Sequence, residues 1–285
     1  MPNKLSIKQL ELIANDIRED IVHMLEVAGS GHSAGPLGLA DIFTALYFDV
    51  LKHDPKNPDW DERDILILSN GHCVPVRYAA MARAGYFDRK ELLTLRQLGS
   101  RLQGHPERKR LPGLENTSGP LGCGLSQACG IALAHKMDNI LRRYIYVVMG
   151  DGETDEGNIW EAAMFAGDQH LSKIIAIIDR NNIQIDGPTE MVLPLENYKD
   201  KWEAFGWHVL EIDGNNIEAV IDACVMAKAI VEKPVAIIAH TIPGKGVDFI
   251  EYDFHWHGIP PNTEQATKAL QELRTLGGKI RSEHE

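Results

Sequence analysis

Residues 144–182 read YIYVVMGDGETDEGNIWEAAMFAGDQHLSKIIAIIDRNN, in which two apolar runs flank a helical stretch. The runs YIYVVM (144–149) and KIIAIID (173–179) are short, mainly apolar and bounded by polar residues. Such runs are typical of strands that are buried on both faces of a sheet. A helical stretch at 158–170 connects them, so this segment predicts a βαβ unit with parallel strands.

The same alternation extends along the rest of the chain. Further strand-like runs are DILILS (64–69), WHVLEID (207–213) and PVAIIAHT (234–241), and further helical stretches are 124–139 and 216–232. A first helix begins after the capping box Ser6-x-x-Gln9 and ends near Gly29, and a second runs through LADIFTALYFDVL. These elements predict an α/β fold with a doubly wound, mostly parallel sheet flanked by helices. Without a repeat, a linker or a composition break, residues 1–285 are expected to form a single domain.

Charge and composition exclude several functions. The chain has 285 residues with 29 Lys or Arg against 41 Asp or Glu, and its net charge is −12. Because a domain with this negative charge repels other anions, it is not expected to bind nucleic acid or an anionic membrane surface. Its apolar runs are far shorter than the roughly 20 residues of a membrane span. The start MPNKLSIKQLELI lacks a signal-peptide core and the four cysteines form no C-x-x-C pair, so we expect a reduced, cytoplasmic protein.

The acidic glycine loop GDGETDEG (150–157) directly follows the run YIYVVM. It matches neither the P-loop, the dinucleotide fingerprint nor the EF-hand spacing. Open α/β sheets bind ligands at the carboxyl ends of their strands, which is where Asp151 and Asn181 both fall. One carboxylate and one amide oxygen suit Mg²⁺ completed by phosphate and water oxygens, and Gly150 and Gly152 let backbone amides approach a phosphate. The alternative is a surface turn, for which glycine and aspartate are also typical.

Three segments, 99–120, 180–195 and 242–262, are longer than compact connections require, and loops of that length are usually functional. Four of the twelve histidines adjoin glycine in loop motifs: His32, His72, His105 and His257. Imidazoles there can hydrogen-bond sugar hydroxyls or phosphate and transfer protons near neutral pH. His255 and His257 are spaced like a zinc pair, but no third ligand is near, so zinc is not expected.

The string GDG, followed by a helix, a strand and NN, resembles the signature of thiamine diphosphate enzymes. The wider stretch 150–187, together with SGHSAGPLGLADI, LSNGHCVP, RQLGSRLQGHPE, SGPLGCGL and WHGIPP, resembles the transketolase family over nearly the entire chain. The resemblance implies the thiamine diphosphate-binding fold, with thiamine diphosphate and Mg²⁺ (or Ca²⁺ or Mn²⁺) as cofactors. It also implies that Asp151, Asn181 and the backbone carbonyl of Ile183 hold the metal.

The resemblance implies roles for the other candidate residues as well. Besides the metal ligands, the expected cofactor contacts are His72, Gly119, Pro120, Leu121, Gly150, Gly152 and Lys245. The expected catalytic residues are His32, His105 and His257, which would line the substrate channel, and Glu156, which would lie beside the cofactor at a subunit boundary. The family assigns no role to Glu153, Thr154 and Asp155, so these are expected to be solvated loop residues.

The resemblance covers only the N-terminal, diphosphate-binding half of a transketolase. The half that grips the aminopyrimidine is missing, since residues 262–285 predict only a polar helix with the charged tail RSEHE. In this family a two-carbon ketol unit passes from a ketose phosphate to an aldose phosphate. We therefore expect a separate C-terminal subunit, an α₂β₂ assembly with the cofactor at the interface, and no sugar transfer by the lone chain. The other explanation is that the chain is a fragment.

Two other functions stay open at this point. One is a subunit of another thiamine diphosphate enzyme, resembling the α-subunit of a 2-oxo-acid dehydrogenase or a deoxyxylulose-phosphate synthase. The loops SGH, NGH, QGHPE and WHG argue against it, because they resemble sugar-handling motifs. The other is a non-catalytic homologue, which would be expected to have lost metal or histidine positions that this chain keeps.

Overall fold

The computed structural model describes residues 4–140 and 142–279, and its centre is a sheet of five parallel strands. The strands along the chain are β1 (Ile65–Leu68), β2 (Ile145–Gly150), β3 (Ile174–Arg180), β4 (Ile183–Gln184), β5 (Gly187–Pro188), β6 (His208–Asp213) and β7 (Val235–His240). The order of the strands in the central sheet is β1-β2-β3-β7-β6. The short strands β4 and β5 form a separate antiparallel hairpin. All five strands predicted from the apolar runs are confirmed, and so is the parallel α/β class.

Helices cover both faces of the sheet. They are α1 (Ile7–Ala28), α2 (Ala34–Gly38), α3 (Ala40–Ala45), α4 (Val74–Ala84), α5 (Gly124–Met137), α6 (Gly157–Asp168), α7 (Thr189–Val192), α8 (Tyr198–Ala204), α9 (Ile217–Ala229) and α10 (Thr263–Lys279). One apolar cluster joins the sheet to α1, α3, α4, α9 and α10, and a second joins its other face to α5, α6 and α8. Alternate strand residues such as Val147 and Val148 belong to opposite clusters. The strands are therefore buried on both sides, which explains their continuous apolar sequence.

The first helix ends where the sequence predicts. The Ser6 side chain accepts a hydrogen bond from the Gln9 amide, the Gln9 side chain accepts one from the Ser6 amide, and Gly29 closes the helix with a φ of 59°. The second predicted helix, LADIFTALYFDVL, corresponds to α3 and ends in a wider turn over 46–50, and the short helix α2 precedes it, separated by Leu39. In that turn the Leu51 amide donates to the Leu46 carbonyl, five residues back.

Strand register sets up the site. Strands β2 and β3 are neighbours, and Gly150 lies opposite Asp179 at their carboxyl ends. The residues that follow, Asp151 and Asn181, therefore emerge at the same edge, as expected for a βαβ unit. The 180–195 segment, expected as an unstructured loop, instead contains the β4–β5 hairpin and α7.

Within the part of the chain that the structure describes, no helix is both long enough and apolar enough to cross a membrane. The predicted polar helix near the C-terminus is confirmed as α10. The charged tail RSEHE lies outside the described residues.

Candidate active site

A cavity of about 280 Å³ lies at the carboxyl ends of β1, β2 and β3. Eleven of the candidate residues line it: His32, His72, His105, Gly119, Leu121, Gly150, Asp151, Gly152, Asn181, Ile183 and His257. Glu156, Pro120 and Lys245 are not part of the lining; Glu156 and Pro120 are exposed and Lys245 is half-buried. The fold thus gathers most of the candidate residues, drawn from distant parts of the chain, around one opening.

Asp151 is the buried carboxylate at the floor of this cavity, with only 1% of its surface exposed. One of its oxygens accepts from the Gly152 amide at 2.7 Å, and the other accepts from the Asn182 amide at 2.9 Å and from the Arg180 guanidinium at 3.1 Å. Burial raises the pKa of Asp151, while Arg180 and the two amides act to lower it. The hydrogen bonds hold the carboxylate in a defined orientation beside the strand end.

Asn181 and Asp179 form the neighbouring polar pair. The Asn181 side-chain amide donates to Asp179 at 2.8 Å, and its oxygen accepts from the Ile183 backbone amide at 3.0 Å. The Thr241 hydroxyl donates to the other oxygen of Asp179. Burial raises the pKa of Asp179 to about 7. Asp179 orients Asn181, so the amide oxygen of Asn181 stays at the edge of the cavity.

Three histidines from separate loops meet on the opposite wall. The ring centroids of His32 and His72 are 4.8 Å apart, those of His72 and His257 are 5.2 Å apart, and those of His32 and His257 are 5.6 Å apart. Among the described residues, the buried Nδ1 atoms of His32 and His257 have no hydrogen-bond partner. Each ring thus has a buried nitrogen without a partner within the residues that the structure describes, which is uncommon in folded proteins.

The environment keeps these imidazoles neutral at pH 7. Burial, followed by the charges of His257, Arg96 and His105, lowers the pKa of His32 to about 4. Burial also lowers the pKa of His257, and holds that of His72 well below its usual value. The pKa of His105 is lowered by burial and by Arg96. A neutral imidazole has one nitrogen that donates a hydrogen bond and one that accepts, so it can bind a hydroxyl group in either role.

The acidic loop itself departs from expectation. Glu153 and Thr154, expected to be solvated, are buried, because residues 152–155 coil into a 3₁₀ turn that directs both side chains inward. The Thr154 hydroxyl donates to the Asp151 carbonyl at 2.6 Å and accepts from the Tyr198 hydroxyl at 3.1 Å. Asp155 is half-buried and accepts from the Gln184 side chain at 2.8 Å. The prediction was therefore wrong for Glu153 and Thr154.

The sequence analysis also missed residues that the cavity depends on. Asn70, Glu153 and Asp179 line it, and Arg180 pairs with the carboxylate at its floor. Asp179 and Asn70 carried a usable signal, since each stands at or just after the carboxyl end of a predicted strand. Nothing in the spacing of Glu153 distinguishes it from its acidic neighbours in the loop.

Comparison with known proteins identifies the family. The chain matches the family described as "Transketolase, thiamine diphosphate binding domain" over residues 9–277. The chain belongs to the transketolase family. The 6-deoxy-6-sulfo-D-fructose transketolase subunit SqwG of Clostridium sp. (strain MSTE9) is 45% identical over 96% of this chain and 100% of that protein. An apulose-4-phosphate transketolase subunit of Phocaeicola vulgatus is 40% identical over 98% of this chain and 99% of its own length.

Other transketolases are much longer. Mouse transketolase is 36% identical over 95% of this chain but only 43% of its own length. The crystal structure of transketolase from Campylobacter jejuni superposes with a TM-score of 0.89 at 38% identity, with the same two coverages. The chain thus spans less than half of these transketolases and corresponds to their N-terminal part. The predicted thiamine diphosphate-binding fold is confirmed.

Proposed function

We propose that this chain is the diphosphate-binding subunit of a two-chain, thiamine diphosphate-dependent transketolase. The observation that carries the proposal is a single cavity with Asp151 and Asn181 on one side and the neutral histidine cluster on the other. The relatives that it matches nearly end to end are named as transketolase subunits, which supports the two-chain form. The single-domain prediction for residues 1–285 is part of the same proposal.

The donor set suits a hard divalent cation. Asp151, Asn181 and the backbone carbonyl of Ile183 would hold Mg²⁺, and Ca²⁺ or Mn²⁺ accept the same oxygen ligands. In the described part of the chain, no three His, Cys, Asp or Glu side chains cluster as a complete metal site. Phosphate and water oxygens would complete the coordination of a metal at Asp151, which would link its binding to that of a diphosphate.

The glycine-containing loops would hold the cofactor itself. Thiamine diphosphate supplies the carbanion chemistry when it is bound. Gly150 and Gly152 would face its diphosphate with His72 nearby, while Gly119 and Leu121 would contact its rings. A Cβ at Gly152 would lie 2.7 Å from the Gln184 side chain, which would have to move to make room for it. We keep Pro120 and Lys245 as contacts at the margin of the cofactor, since neither lines the cavity.

The histidines would handle the sugar. His32, His105 and His257 are the proposed catalytic imidazoles, which hydrogen-bond substrate hydroxyls and hold or transfer protons at the reacting carbons. Their lowered pKa values keep these imidazoles neutral at pH 7, so each ring can donate one hydrogen bond to a sugar hydroxyl and accept another. The exposed Glu156 would complete the catalytic set at the boundary with the partner subunit.

The proposed reaction transfers a two-carbon ketol unit from a ketose phosphate to an aldose phosphate in cytoplasmic carbohydrate metabolism such as the pentose phosphate reactions. The names of two relatives specify a sulfonated and a phosphorylated sugar, which supports a sugar with an anionic group as substrate. The proposed assembly is an α₂β₂ heterotetramer in which the pyrimidine-binding subunit closes the cavity.

Co-expression tests the proposal. The chain is produced alone and together with the product of the adjacent reading frame, and each preparation is assayed with thiamine diphosphate, Mg²⁺ and a panel of ketose and aldose phosphates. Ketol transfer is expected only from the two-chain preparation. Robust transfer by the lone chain would contradict the two-chain form, and no thiamine diphosphate binding by either preparation would contradict the function.

A further inference from the structure

Glu153 is a buried carboxylate beside the cavity, with 3% of its surface exposed. One carboxylate oxygen accepts from the Gly122 amide at 2.8 Å and from the Ser69 hydroxyl. The other oxygen accepts from the Gly150 amide at 3.1 Å. Both oxygens are thus hydrogen-bonded, and every donor belongs to a different loop.

Each donor lines the cavity or adjoins a residue that does: Gly150 lines it, Ser69 precedes Asn70, and Gly122 follows Leu121. Ser69 directly follows β1, and its hydroxyl oxygen also accepts a hydrogen bond at 3.0 Å from the amide of Gly124, the first residue of α5. Gly122 directly follows the Gly119–Leu121 loop, and Gly150 begins the loop that carries Asp151. A single side chain therefore connects the wall proposed for the cofactor rings to the wall proposed for its diphosphate.

Among the side chains that the structure describes (residues 4–140 and 142–275), no cation lies within 4 Å of the Glu153 carboxylate. Burial raises the pKa of Glu153 to about 7, and the hydrogen bonds from Ser69, Gly122 and Gly150 act against that shift. Burying a carboxylate without a cation is unfavourable for folding. What the group contributes is geometric, since three donors on three loops converge on it.

We propose that Glu153 is a positioning residue for the cofactor, which sets the Gly119–Gly122 loop against the Gly150–Gly152 loop before thiamine diphosphate binds. The inference rests on the proposed function. A preformed cavity lowers the entropic cost of ordering the loops on binding. Loss of the Glu153 contacts should therefore weaken the affinity for the cofactor. Glu153 itself would not need to touch the cofactor.

Glutamine cannot reproduce these contacts, although its shape is nearly the same. Its single oxygen can face either Gly122 or Gly150, and its NH₂ group then meets the other backbone N–H, donor against donor. Removal of the Ser69 hydroxyl should weaken cofactor binding less, because the hydrogen bonds from the Gly122 and Gly150 amides to the carboxylate remain. Glu264 provides a matched control, since it is exposed in the first turn of α10 and loses the same charge on substitution.

The test uses the full chain in complex with its partner subunit. Thiamine diphosphate is titrated by calorimetry at fixed, saturating Mg²⁺ and 25 °C into wild type, Glu153→Gln, Ser69→Ala and Glu264→Gln. We expect affinity about tenfold or more weaker for Glu153→Gln and a smaller loss for Ser69→Ala. Glu264→Gln should bind like wild type. Faster hydrogen exchange at the Gly122 and Gly150 amides of the folded Glu153→Gln complex should accompany its loss of affinity.

Equal affinity in wild type and folded Glu153→Gln would overturn the inference while leaving the proposed function intact. If Glu153→Gln does not fold, Ser69→Ala decides, and wild-type affinity together with wild-type exchange at Gly122 would overturn the inference. A wild-type complex that binds no thiamine diphosphate would instead refute the proposed function, and the inference with it.

Discussion

Arg180 links the carboxylate at the cavity floor to a neighbouring segment. Its guanidinium lies 3.1 Å from Asp151, 2.6 Å from Glu190 and 3.0 Å from Glu196. A buried carboxylate needs such compensation, because burial disfavours its charge. The guanidinium opposes the rise in the pKa of Asp151 that burial causes, and so favours the ionised form of this carboxylate.

Asp151→Ala is expected to abolish Mg²⁺-dependent binding of thiamine diphosphate, because it removes the only carboxylate of the proposed metal site. Asp155→Asn is the matched control, since Asp155 contacts Gln184 and does not line the cavity. Calorimetric titration of the two-chain complex with and without Mg²⁺ measures both variants. Metal-dependent binding that persists in Asp151→Ala would contradict the metal assignment.

The depressed pKa of His32 predicts a specific pH dependence. Its folded-state pKa of about 4 lies below the ordinary histidine value of 6.5, so the unfolded chain takes up the proton first as pH falls. The stability contributed by neutral His32 is thus present above pH 6.5 and lost progressively down to about pH 4. His32→Gln should therefore lose less unfolding free energy than wild type between pH 7.5 and pH 5, as measured by denaturant titration. Identical pH dependence would contradict this, as would NMR titration of the His32 ring near pH 6.5.

At the scale of elements, the packing of α6 against the end of α8 fixes the outer layer next to the acidic loop. The Trp207 indole donates to the Ala163 carbonyl at 2.9 Å, and Trp202 and Trp207 pack edge to face with ring centroids 5.1 Å apart. At Gly167 the helix approaches the Phe205 backbone so closely that a Cβ would lie 1.8 Å from the Phe205 carbonyl oxygen. Helix α6 follows the acidic loop directly, so a displacement here would reach the site.

Gly167→Ala is expected to destabilise the chain by about 3 kcal/mol or more, because the contact is with backbone that cannot rotate away. Gly130→Ala on α5 serves as control, since a Cβ there meets nothing within 4 Å. That control should gain about 0.5–1 kcal/mol through helix propensity. Denaturant unfolding of both variants measures the difference, and a Gly167→Ala chain as stable as wild type would refute the close packing.

At the scale of the whole molecule, exposed apolar side chains lie beside the cavity. Ile185 is 66% exposed and lines it, Leu121 is 38% exposed and lines it, and the α7 region adds Met191 at 82%. Ile259, near the histidine cluster, is also exposed, and its carbonyl accepts from Ser33 at 2.6 Å. Large exposed apolar side chains at the rim of a cavity are typical of a surface that a partner covers.

We predict that the partner subunit covers this rim. Hydrogen exchange of segments 183–195 and 258–260 should slow on complex formation, whereas segment 218–228 on α9 should not change. Native mass spectrometry should report two copies of each chain. Unchanged exchange at 183–195 in an active complex would show that the partner binds elsewhere.

Local sequence patterns were enough to predict the strands, the first helix and the terminal helix. They also showed that the acidic loop resembles a diphosphate-binding loop. Apolar runs, a capping box and glycine next to carboxylate at a strand end are all properties of neighbouring residues, and short-range physics determines them. The strand order β1-β2-β3-β7-β6 was not predicted, because it depends on which helices cover which face of the sheet.

Only the tertiary structure decided how Glu153, Arg180 and the histidines are used. Glu153 is buried because Ser69 and Gly122, 84 and 31 positions away in sequence, converge on it. The pKa of His32 falls because separate loops bury it next to His257. Charge, burial and hydrogen bonding at these residues are set by distant partners, and no spacing within GDGETDEG encodes them. The sequence by itself therefore placed Asp151 and Asn181 at strand ends, and the folded chain determined which carboxylates are buried there and which groups they contact.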